Sequence, residues 1–221
     1  AVSVSWPRIG YGAAMSAPPP PQYPHSTKVA AHGLGATLIA SLLAWKLGPI
    51  FGLSPFAPLL AGSVVVLTLL TSEPARRQAG STRFGPANRV TLARAVLVGA
   101  VAAFIGSNGG PMQAIWVTGI ASTALVMDGV DGWVARRSGL ESAYGARLDM
   151  ELDSLLMLVL SLLVWQWELA GHWVLFCGLA RYGFGLVAWR VRWFSRELPE
   201  SFLRKTCCVI GIGALTAAMS P

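Results

Sequence analysis

The chain has 221 residues, of which 54% are hydrophobic and only 12% charged, with a formal net charge of +7. A soluble domain carries about 25% charged residues, so this composition excludes an ordinary water-soluble globule and points to a surface that meets lipid. The basic excess does not call for nucleic acid, because its placement along the chain has a topological explanation.

Residues 1–28 are rich in Pro, Ser and Gly, with Pro18 to Pro21 in succession. They lack the apolar centre of a signal peptide and read as a flexible cytoplasmic tail. Apolar runs follow at 29–47, 56–71, 90–106, 112–134, 147–167, 172–190 and 203–220. Their lengths approach what a helix needs to cross the hydrocarbon core, which predicts an all-α, polytopic integral membrane bundle. The first two runs, within 29–71, form an accessory helical pair, with turns expected at Gly48-Pro49 and Ser54-Pro55. Residues 72–87 read as a polar linker, and 88–221 as the main domain, its first helix opening near Ala87 or Asn88.

Arg76, Arg77, Arg83 and Arg89 occupy one gap between runs, Arg136, Arg137 and Arg147 another, and Arg190, Arg192, Arg196, Arg204 and Lys205 a third. The alternate gaps, 48–55, 107–111 and 168–172, contain no Lys or Arg. This alternation is the positive-inside pattern for short loops, and it puts the three basic gaps in the cytoplasm. The cysteines, Cys177, Cys207 and Cys208, lie in apolar runs without metal-ligand spacing and read as small hydrophobes. His172, beside Trp173, reads as a residue of the aqueous boundary.

One stretch carries chemistry. Asp128 and Asp131 share a helix face at a spacing of three, and Gly132 and Ala135 continue that stripe, with Arg136 beside it. On the next helix Gly145, Asp149 and Asp153 recur at four-residue intervals, while Glu151 points away. Two helices facing each other would thus present two carboxylates apiece. Such a group repels itself and is costly near a membrane span without a counter-charge. Divalent cations supply it, and a donor set of carboxylates without His or Cys suits Mg²⁺ or Mn²⁺, two ions in all, and not zinc. Paired hard metals grip a diphosphate and activate a hydroxyl. A solvated hairpin whose acids pair with Arg136, Arg137 and Arg147 is the plainer alternative.

The full spacing favours the first reading. Asp128, Asp131, Gly132, Ala135, Arg136, Gly145, Asp149 and Asp153 fit Asp-x2-Asp-Gly-x2-Ala-Arg-x8-Gly-x3-Asp-x3-Asp at every fixed position. In this the chain resembles the CDP-alcohol phosphatidyltransferase family. Asn88, Thr91 and Arg94 open the third run as Asn-x2-Thr-x2-Arg, similar to the entry of that family's first core helix. Arg94 lies within an apolar run, where an arginine needs an anionic partner, and a bound pyrophosphate would serve.

The resemblance covers about residues 86–221. It implies a homodimer of six-helix cores, each with a polar cavity open to the cytoplasm. The accessory pair comes in addition. The last core helix is expected to be absent from the sequence, which stops at Ser220-Pro221 where that helix would begin, so that either the sequence is a fragment or this member lacks the helix. The implied reaction transfers a phosphatidyl group from CDP-diacylglycerol to an alcohol such as glycerol 3-phosphate or an inositol phosphate, releasing CMP. By resemblance Asp128, Asp131 and Asp149 bind one metal, and Asp128, Asp149 and Asp153 the other, with Asp153 also the general base. Gly132, Ala135, Arg136 and Ser142, with Asn88, Thr91 and Arg94 nearby, would contact the CDP moiety and its pyrophosphate. Arg181, inside the sixth run, is a candidate contact for the acceptor. The expected location is a bacterial inner membrane, with the site facing the cytoplasm. Two alternatives stand beside this reading: a CDP-amino-alcohol phosphotransferase acting on diacylglycerol, and a divalent-cation or proton-coupled transporter.

Overall fold

A computed structural model of the chain describes residues 26–79, 86–138, 143–190 and 202–219. Seven α-helices and no strands occur among them: α1 Ser26–Phe51, α2 Ala57–Ala79, α3 Pro86–Ala102, α4 Pro111–Ser138, α5 Ala143–Gln166, α6 Val174–Arg190 and α7 Phe202–Met219. Each of the seven apolar runs gives one helix. The proline-rich tail lies outside the described residues.

Two boundaries differ from the sequence reading. Helix α1 does not turn at Gly48-Pro49 but runs on to Phe51 with Pro49 inside it. It ends at Gly52, whose φ of 61° only glycine adopts without strain, and the Leu53 amide bonds back to the Gly48 carbonyl at 3.0 Å. Helix α2 continues through residues 72–79, well into the stretch read as linker. Helices α3 and α4 each start on a proline, at Pro86 and Pro111, where the missing amide proton has no intrahelical role to lose. At the second of these Gln113 Oε1 accepts from the Gly110 amide at 2.8 Å, which satisfies a further donor at the helix start.

Helices α3 and α5 form the middle of the bundle. Helix α5 packs against α2, α3, α6 and α7, and α3 against α1, α2, α4 and α5. The buried face of α5 carries Leu148, Leu152, Leu155, Leu156, Val159, Leu160 and Leu163, the three-and-four spacing of an amphipathic helix. Helices α1 and α2 join through small residues: Ala36, Ala40 and Ala44 of α1 and Ala57 and Ala61 of α2 are all buried, which lets the backbones approach closely. Gly178 does the same for α6 on α5, since a Cβ there would stand 2.8 Å from the Leu158 Cα.

The periphery is apolar. Leu38, Trp45, Ile50, Leu59, Phe176 and Ile210 are among the large hydrophobic side chains that face outward. Residues Ala30–Phe51 form a helix long and apolar enough to cross a membrane, while Ala57–Glu73, Val174–Val187 and Val209–Met219 are shorter apolar segments.

Candidate active site

The two ends of the bundle differ in chemistry. At one end, Gln113 Nε2 donates to the Phe51 carbonyl at 2.6 Å, Gln166 Nε2 to the Ser107 carbonyl at 2.6 Å, and the Gly106 amide to Gln166 Oε1 at 2.8 Å. These neutral bonds gather the C-termini of α1, α3 and α5 with the start of α4. Arg94, Asp128, Asp149, Asp153, Arg147 and Glu151 lie toward the other end, where α3 and α5 begin and α4 finishes.

There Arg94 of α3 is the organising residue. Its side chain is 1% exposed, and it reaches three carboxylates. Nη1 lies 2.8 Å from Asp128 Oδ1 of α4 and also contacts Asp149 Oδ1, and Nη2 donates to Asp153 Oδ1 at 2.8 Å. The third edge of the guanidinium is used too, because Nε donates to the Ala124 carbonyl of α4 at 3.2 Å. A buried arginine is tolerated only when its donors are met in this way. The anionic partner that an arginine within an apolar run needs is supplied here by the protein's own aspartates and not by a pyrophosphate.

Asp128, Asp149 and Asp153 come together because α4 ends and α5 begins beside the same stretch of α3. One carboxylate oxygen from each lies within 4.8 Å of the others. The donor set is all oxygen, without His or Cys, which fits a hard divalent cation such as Mg²⁺ or Mn²⁺. The cluster is not sealed: Asp149 has 40% of its side chain exposed, against 22% for Asp128 and 24% for Asp153. Thr91, buried one turn before Arg94 on α3, lines the same region of the chain.

The other predicted contacts are less fully described. Helix α4 continues through Asp131, Gly132, Ala135 and Arg136, and α3 includes Asn88, but the side chains at these positions fall outside the described residues, as does Ser142 altogether.

A second charged group lies on the other side of α5. Glu151, with 6% of its side chain exposed, accepts from Arg181 Nη2 of α6 at 2.5 Å and pairs with Arg147 Nε at 3.1 Å. Glu151 thus points away from the aspartate stripe, as helical phase requires. Helical phase separates Glu151 from the site, and Arg147 is among the arginines that the solvated-hairpin alternative pairs with the acids. The four-residue spacing of Arg147 and Glu151 was the available signal; the α6 partner had none.

The sequence model of the CDP-alcohol phosphatidyltransferase family matches residues 75–221. The chain belongs to this family. The match begins inside α2, earlier than the motif-based resemblance, and covers more than half of the 221 residues. No curated protein and no solved structure matches the chain. Family membership makes the chain a phosphotransferase of phospholipid synthesis, which moves a phosphatidyl or related phosphoalcohol group from a CDP-alcohol to an acceptor. The family is divalent-metal dependent and membrane-integral, in keeping with the aspartate cluster and the apolar helix α1.

Proposed function

We propose that the chain is a polytopic membrane enzyme that transfers the phosphatidyl group of CDP-diacylglycerol to a phosphorylated alcohol, releasing CMP. The observation that carries this reading is the convergence of Asp128, Asp149 and Asp153, three members of an eight-residue family motif, at one end of the bundle. With Asp131 they would hold two Mg²⁺ or Mn²⁺ ions, whose positive charge would stabilise the phosphoryl oxygens and the departing CMP. In the reaction the acceptor hydroxyl oxygen bonds to the phosphorus that carries diacylglycerol, and the bond from that phosphorus to the bridging oxygen of CMP breaks. The hydroxyl proton goes to Asp153, on Oδ2, the oxygen that Arg94 does not hold. Gly132, Ala135, Arg136, Ser142, Asn88 and Thr91 are assigned to the cytidine and diphosphate.

The preference for a phosphorylated acceptor, such as glycerol 3-phosphate or an inositol phosphate, rests on Glu151 and its partners. Two guanidinium groups share one carboxylate, which leaves one positive charge in surplus on the face of α5 turned away from the aspartates. Arg181 is a third exposed and is the residue assigned to the acceptor's phosphate.

The membrane orientation follows from charge. Arg89 and Arg147 belong to the end of the bundle that holds the aspartates, and the opposite connections carry no Lys or Arg. By the positive-inside rule that end is cytoplasmic, where CDP-linked substrates are available. The inner membrane of a bacterium, a homodimeric assembly and residues 29–71 as an accessory helical pair complete the proposal.

The test is a matrix of donors and acceptors in detergent or liposomes with Mg²⁺ or Mn²⁺. CMP release from CDP-diacylglycerol with a phosphorylated alcohol, abolished by Asp153→Asn, is the expected result. Turnover untouched by that substitution would remove Asp153 as the base. Release from CDP-choline with diacylglycerol as acceptor would instead select the amino-alcohol reaction.

A further inference from the structure

Arg94 is engaged on every edge. Three aspartates from two helices receive its Nη1 and Nη2, and its Nε is tied to the α4 backbone at Ala124. The backbone bond matters, because it fixes the guanidinium plane independently of the carboxylates. Arg94 is therefore held in the cluster and does not simply swing in and out of it.

We infer that Arg94 is a built-in counter-cation that shares the aspartates with the divalent ions and thereby sets how tightly those ions bind. This rests on the reading of Asp128, Asp149 and Asp153 as metal ligands. Three carboxylates and one guanidinium leave a net charge of −2 among these four side chains, which a single divalent ion balances. Without the guanidinium the same oxygens would present −3. Any ion entering the cluster meets the repulsion of a fixed positive charge and finds the Oδ1 atoms already engaged by it. The same residue also holds the carboxylates together against their own repulsion, so that the cluster keeps its shape. Arg94 is thus a positioning residue with a cost in metal affinity.

Both effects have a definite sign. Arg94→Gln removes the competing charge, so Mn²⁺, measured by electron paramagnetic resonance or calorimetry on purified protein, is expected to bind at least tenfold more tightly. The same variant loses its internal counter-charge, so its melting temperature is expected to fall in chelator and to recover toward that of the parent protein as Mn²⁺ is added. If Arg94→Gln does not survive purification even in Mg²⁺, Arg94→Lys replaces it. A lysine keeps the charge but cannot reach three carboxylates and Ala124 at once, so a several-fold gain in Mn²⁺ affinity is expected.

Asp149→Asn separates the two ways of failing. If it weakens Mn²⁺ binding while the Arg94 variants bind Mn²⁺ no more tightly than the parent, the inference about Arg94 is wrong and the metal site stands. If parent and Asp149→Asn take up Mn²⁺ alike, the metal reading is wrong and the inference goes with it.

Discussion

Arg181 and Glu151 face each other across the seam between α6 and α5, with Nη2 2.5 Å from Oε1. This pair lies on the reverse of the helix that carries Asp149 and Asp153, so α5 is charged on two faces at the same level. The proposed acceptor side and the proposed metal side are therefore one helix apart, and substitutions can address them separately.

On the acceptor side, Arg181→Gln is expected to raise the KM for a phosphorylated alcohol tenfold or more with little change in the KM for the CDP donor. Steady-state kinetics with each substrate varied in turn distinguishes this from a general loss of fold. The accompanying loss of stability should be about 1–3 kcal/mol, below the usual cost of breaking a buried ion pair, because Arg147 remains to pair with Glu151.

On the metal side, chelation should abolish CMP release, and Mg²⁺ or Mn²⁺ should restore it. Asp128→Asn is expected to shift the Mn²⁺ dependence of turnover to at least tenfold higher concentration, since it takes one of three converging carboxylates from the site. An unchanged metal dependence would mean that the ions bind elsewhere.

The approach of α6 to α5 depends on Gly178. A methyl group at that position would stand 2.2 Å from Ser161 Oγ and 2.8 Å from the Leu158 Cα, and the latter is backbone that cannot rotate away. Gly178→Ala should therefore cost about 1–3 kcal/mol in stability through overpacking and disturb Arg181 with it. Gly183→Ala, where nothing lies within 4 Å, is the control and should be neutral or slightly stabilising. Equal melting temperatures for the two variants would contradict the packing.

Orientation can be read by labelling. In a background with Cys177, Cys207 and Cys208 replaced, Ser54→Cys is expected to react with an impermeant maleimide on intact cells. Ser81→Cys, in the basic gap between α2 and α3, should react only after lysis. The reverse pattern would invert the topology and put the aspartates outside.

Much of this was legible in the sequence because the relevant signals are local. Helix existence follows from runs of apolar residues, so all seven helices were visible. Asp149 and Asp153 share a stripe because residues four apart stack on a helix, and Glu151, two residues from each, must leave it. The motif spacing carried the family, which the match over residues 75–221 bears out. Helix ends were less legible. Pro49 suggested a stop, but the cap depends on Gly52 reaching a left-handed conformation and on a backbone bond, which outweigh one lost helical hydrogen bond.

What the sequence alone determined, then, was the inventory: the seven helices of the described residues, the acidic stripes, Arg94 in an apolar run that required an anion, and Arg181 in another, expected to face a cavity. Only the tertiary structure decided the pairing. Arg94 meets Asp128, Asp149 and Asp153 across 34 to 59 residues of chain, and Arg181 meets Glu151 across 30. Periodicity orients a side chain about its own helix axis but does not say which neighbouring helix stands on that side. That choice belongs to packing: α3 between α4 and α5 brings one arginine to three acids, and α6 on Gly178 brings the other to Glu151.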